Sequence, residues 1–103
     1  MTLVNLGNLH VDAAEWERGR AYYLEALDMM DLFKDDAAKA VLLSDLGLVA
    51  KETQQYDQAM DYYSQSITLM LRVGNESGQA DVFIMMARMY LSCDRINDAI
   101  WPR

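Results

Sequence analysis

Residues 43–66, LSDLGLVAKETQQYDQAMDYYSQS, decide the fold. Leu43, Leu46 and Gly47 share one face of a first helix, and Tyr56, Ala59, Tyr63 and Ser66 share one face of a second. Gly47 and Ala59 are small enough for two helix backbones to cross closely, while Leu43 and Tyr63 fill the space on either side. No Gly or Pro separates the two faces, so the turn falls on Thr53-Gln54-Gln55. The segment is predicted to be an antiparallel helical hairpin.

The same pattern stands forty residues earlier. Leu3, Leu6, Gly7, Tyr22, Tyr23 and Met30 reappear as Leu43, Leu46, Gly47, Tyr62, Tyr63 and Met70, and Trp16 answers to Tyr56. Forty residues later come Phe83, Met86, Ala87, Tyr90, Ile96 and Ala99. A fixed period that preserves apolar positions describes stacked repeats rather than one globular core. Helices are predicted over 2–13, 16–33, 37–53, 56–73 and 76–92, with a short sixth over 95–101 that Pro102 ends. Thr2, Asp35 or Asp36, Asn75 or Ser77, and Asp94 are the candidate caps, and Gly74 is the helix stop.

Leu-x2-Leu-Gly, then an aromatic, then Ala-x3-Tyr-x2-small resembles the tetratricopeptide repeat (TPR), whose usual period is about 34 residues. The longer period, and the phrase Asn5-Leu6-Gly7-Asn8, are similar to the repeats of the LGN/Pins and kinesin light chain type. The resemblance implies an all-α, right-handed α-solenoid forming a single domain over 1–103, with repeats at about 2–35, 36–75 and 76–101, the last cut short. Departures are visible. His10 and Ala50 stand where the family often has Tyr, Gly19 replaces the Ala kept at Ala59 and Ala99, and the turn glycine is absent.

Hydrophobic residues make up 52% of the 103, enough for a packed core, and one Pro with five Gly permits long helices. A net charge of −7 argues against nucleic acid or an anionic membrane as partner. Cys93 is the only cysteine, so an intrachain disulfide is excluded and a reducing, cytoplasmic setting is expected. No leader peptide is expected, and no apolar run approaches the roughly 18 residues that span a bilayer.

Catalytic and metal chemistry find little support. His10 lacks a second ligand at metal spacing and occupies a packing row. Cys93 lies beside Asp94, whose charge suppresses thiolate formation. Asp35, Asp36 and Glu52 have no calcium-loop spacing and read as caps and solvated charges. The methionines stand at core spacing, except Met85, which is expected to point into the groove on the face opposite Met86. No enzyme activity and no cofactor are expected.

The resemblance instead implies a concave surface lined by the first, third and fifth helices. Its residues would be Val4, Asn5, Asn8, Val11 and Asp12; then Val41, Ser44, Asp45, Leu48, Lys51 and Glu52; then Asp81, Ile84, Met85 and Arg88. Asparagines at the positions of Asn5 and Asn8 hydrogen-bond an extended peptide in the resembling families, and an amide offers both donor and acceptor. Some members grip the C-terminal carboxylates of the Hsp70 and Hsp90 chaperones with cations. Here Asn8 matches one such position, but Val4, Asp45, Asp81 and Met85 hold the others, and two acids repel a carboxylate. The expectation is a protein-interaction module holding a partner's peptide or helix, with no chaperone-tail binding.

The alternative is a structural segment of a larger array, or a self-associating scaffold. Val82, Phe83, Met86, Met89 and Tyr90 need cover, yet only Ile96, Ala99, Ile100 and Trp101 precede Pro102. That end is expected to be buried by a second copy or by the remainder of a longer protein, with Trp101 as anchor.

Overall fold

A computed structural model of the chain describes residues 2–92. The expectations at Cys93, Asp94, the sixth helix, Trp101 and Pro102 lie outside the described residues. The rest is helical, without a strand among the described residues: α1 (Leu3–Asp12), α2 (Trp16–Phe33), α3 (Asp36–Glu52), α4 (Tyr56–Val73) and α5 (Glu76–Ser92). Each helix packs on the next, and α3 also touches α5. The chain is an all-α stack of TPR-like hairpins. No helix among the described residues is long and apolar enough to cross a membrane.

The helix ends show why the period is forty. Ala14 (φ 60) and Gln54 (φ 63) close the two hairpins in the left-handed region; Lys34 (φ 56) and Gly74 (φ 75) close the junctions between repeats. After each of these residues, the next amide returns to the carbonyl five residues before it. Glu15 donates to His10 (2.7 Å), Asp35 to Met30 (3.0 Å), Gln55 to Ala50 (2.8 Å) and Asn75 to Met70 (2.8 Å). These bonds satisfy carbonyls that a helix end otherwise orphans. The following helices are capped in register: Asp35 Oδ1 accepts from the Ala38 amide (3.1 Å) and Asn75 Oδ1 from the Gly78 amide (2.8 Å). Thr2 Oγ1 does the same for the Asn5 amide at the start of α1.

α3 is the central element, apolar on most of its circumference, as a helix covered on several sides must be. Its Leu42, Leu46 and Val49 pack with Tyr23 and Ala26 of α2. Its Ala40, Leu43 and Ala50 pack with Ala59, Tyr63 and Met70 of α4 and Val82 and Met89 of α5. Each fully buried Leu contributes about 1.5–3 kcal/mol.

The close approach at Gly47 differs in kind from the expectation. Gly47 makes room for a ring: a Cβ there would lie 2.5 Å from Tyr63 Cε1. Gly7 makes the same room for Tyr23, at 2.6 Å. On α5, Val82 and Met89 are buried in the core, Met86 and Tyr90 are half-buried, and Phe83 remains 54% exposed. Of the apolar residues expected to need a further helix, Phe83 is the one still largely exposed.

Candidate interaction face

α1, α3 and α5 carry the predicted groove residues. Asn5, Asn8, Asp12, Glu52, Asp81 and Arg88 are exposed, and Asp45, Leu48 and Lys51 are half-buried. Lys51 Nζ lies 3.2 Å from Glu52 Oε1. Val41 and Ile84 present about half of their surface to solvent, at 49% and 51%.

Two expected groove residues are placed differently. Ser44 is buried, and its hydroxyl donates to the Val41 carbonyl one turn back (2.6 Å). Met85 packs against the core alongside Met86. The reason is common to both: α3 is flanked by α2, α4 and α5, and α5 rests on both α3 and α4, so each buried arc is wider than a single stripe.

The floor of the face is polar in a way the sequence did not reveal. The Tyr23 hydroxyl donates to Asn8 Oδ1. Burial, then the charges of Asp45 and Asp12, push its pKa up to about 12. Tyr63 is also raised to about 12, by burial and then by Glu52 and Asp45. Asp45 therefore lies within electrostatic reach of both rings. Loss of water around its own carboxyl raises it from 3.8 to about 6. A row of acids thus borders two buried phenols on the α1–α3 side. The signal that could have found it was the forty-residue pairing of Tyr23 with Tyr63, read together with the acids between them.

His10 is in the packing role expected. Its ring stacks on Tyr22 at 5.3 Å and 8°, and Nδ1 lies 3.2 Å from Glu15 Oε1. Among the described residues, no group of His, Cys, Asp and Glu could hold a metal ion.

A family model described as tetratricopeptide repeat matches residues 1–72. Comparison with curated proteins gives no match, and neither does comparison with solved structures.

Proposed function

Because the chain belongs to the tetratricopeptide repeat family, whose members are generally protein-interaction modules, we propose that its α1–α3–α5 face holds a peptide or helix of a partner protein. The observation that carries this is the composition of that face. α1 and α3 carry an exposed amide at Asn5 and the carboxylates of Asp12, Asp45 and Glu52, and apolar Val41 and Ile84 are exposed on α3 and α5. Amides suit a peptide backbone, apolar patches suit its side chains, and carboxylates favour lysine or arginine in the partner. Asp45 adds a specific reason. Its poorly hydrated carboxylate gains more from a neighbouring cation than a fully solvated one does. Chaperone-tail carboxylates are disfavoured by the same acids. The module has no catalytic role in this reading, and the lone Cys93 fits a reducing cytoplasm.

The test is selection of peptides from a displayed random library against the whole chain. The selected peptides should be rich in Lys and Arg, bind more weakly as salt rises, and lose affinity on Asn5→Ala and on Asp45→Asn. Each lost hydrogen bond is worth about 0.5–1.5 kcal/mol. Asn8 is a poorer probe, because it also holds Tyr23. Affinity unchanged in both variants would move the site off this face.

A second reading, self-association or packing within a longer array, is favoured by α5. Phe83, Ile84 and Leu91 are 54%, 51% and 83% exposed. Sedimentation of the chain and of Phe83→Asp separates the readings. A dimer that this variant dissolves would favour the scaffold.

A further inference from the structure

The two helical hairpins bury the same ring and finish it differently. Tyr23 lies across Gly7 and Tyr63 across Gly47; a Cβ on these glycines would fall 2.6 Å and 2.5 Å from the rings. Tyr23 is 2% exposed and Tyr63 0%. Each phenol is thereby aimed past its glycine, toward the next residue along the first helix of the hairpin. For Tyr23 that residue is Asn8, whose Oδ1 accepts the hydrogen bond. For Tyr63 it is Leu48, which can neither donate nor accept, and the hydroxyl is buried with no hydrogen-bond partner among the described residues. Burial, then the charges of Glu52 and Asp45, raise the Tyr63 pKa to about 12. The phenol therefore keeps its proton, with both carboxylates within electrostatic reach. The forty-residue register puts Leu48 of α3 and Met85 of α5 over it, where Asn8 and Asp45 stand around Tyr23. Leu48 and Met85 are half-buried, so solvent reaches the roof but not the hydroxyl. A buried hydroxyl without a partner carries a desolvation cost that a bound group can recover.

We infer that the Tyr63 hydroxyl is a subsite of the α1–α3–α5 face, and that it takes the carboxamide of a glutamine or asparagine side chain of the partner. The inference rests on the reading of that face as the peptide site. The bound group must accept a hydrogen bond from the phenol, as Asn8 does from Tyr23. It must also donate, to suit the carboxylates of Glu52 and Asp45. A primary carboxamide does both from one end. Lysine and arginine have donors and no acceptor. A carboxylate accepts but is repelled by the two acids. Serine and threonine carry both functions on a stem too short to pass Leu48 and Met85. The unbranched stem of glutamine passes between them, and Met85, itself unbranched and adaptable, changes rotamer to admit it. The partner thus supplies the amide that the first hairpin carries in its own sequence and the second lacks.

The probe is a peptide selected on the whole chain from a displayed random library and assigned to this face by its loss of affinity on Asn5→Ala and Asp45→Asn. Such peptides should share one position held by Gln or Asn. Replacing that residue by Leu in the peptide, and Tyr63→Phe in the protein, should each weaken binding about two- to tenfold. The two changes together should weaken it no more than either alone, because they remove the same contact. Tyr63→Phe takes away one oxygen and keeps the ring in place. Leu48→Asn supplies the amide from the chain itself, and should erase the preference for Gln or Asn. Face-bound peptides with no shared amide position overturn the subsite. So does an amide whose effect on affinity is undiminished in Tyr63→Phe. Peptides insensitive to both Asn5→Ala and Asp45→Asn overturn the reading of the face, and the subsite with it.

Discussion

The hydroxyl of Tyr23 donates a hydrogen bond to the side-chain oxygen of Asn8. Forty residues on, the ring is kept as Tyr63 but the amide is not: Leu48 stands in register with Asn8. The Tyr63 hydroxyl is buried and has no hydrogen-bond partner among the described residues. Two phenols in equivalent places are thus satisfied in one repeat and orphaned in the next. Tyr23→Phe should destabilise the chain by about 0.5–1.5 kcal/mol, the net worth of one hydrogen bond. Tyr63→Phe should be neutral or stabilising, because it removes a polar group that was desolvated without compensation. Equal losses in chemical denaturation of the two variants would show that Tyr63 has a partner.

Gly47→Leu should be among the most damaging single changes. Its Cβ would meet a fully buried ring at 2.5 Å, and Tyr63, hemmed in on all sides, cannot swing away. Overpacking of this kind costs about 1–3 kcal/mol. Helix propensity alone favours Leu by under 1 kcal/mol. A higher Tm in this variant would refute the packing account.

Stability should depend on pH through Asp45. Its folded-state pKa, about 6, lies above the ordinary 3.8. The folded chain therefore holds this proton more tightly than the unfolded chain does. The contribution is fully present below pH ~4 and is lost as pH rises through 6. Its size is on the order of 2–3 kcal/mol. Asp45→Asn, which mimics the protonated acid, should flatten the stability profile between pH 4 and 7 and raise stability at pH 7. A profile identical to that of the parent would refute the assignment.

The hairpin turns hold non-glycine residues in the left-handed region, at Ala14 and Gln54, both exposed. Such a residue costs about 1–2 kcal/mol relative to its preferred conformation. Glycine removes that cost but loses more freedom on folding, about 0.5–1 kcal/mol. Gln54→Gly should therefore stabilise by roughly 0.5–1 kcal/mol, and Ala14→Gly similarly. Loss of stability in both would mean that their side chains make contacts that outweigh the strain.

Helix positions were legible because Leu, Gly and Tyr recur at one spacing, and the caps because Asp35 and Asn75 fall at the same place in it. The turns were legible by elimination, with Thr53-Gln54-Gln55 left between two apolar faces. Details that depend on a second helix were not. Gly19 looked like a departure from Ala59, yet a Cβ there would lie 2.5 Å from Val11 Cγ2. Lys51 holds the place of Val11 in the other repeat, so the two changes belong together. Ser44 and Met85 were expected in the groove from the repeat resemblance and from their places on α3 and α5, and neither reports how many helices surround a position. The desolvation of Asp45 arises from the same crowding.

The order of packing has a kinetic consequence. α1 rests chiefly on α2, while α3 is held by α2, α4 and α5. Opening the first hairpin exposes its own interface and one junction, and leaves the clusters of α3 with α4 and α5 intact. Fluctuations should therefore run inward from α1, with successively rarer openings toward the middle, rather than as one event. In hydrogen exchange, the amides of α1 should surrender their protons first and those around Leu43 and Leu46 last.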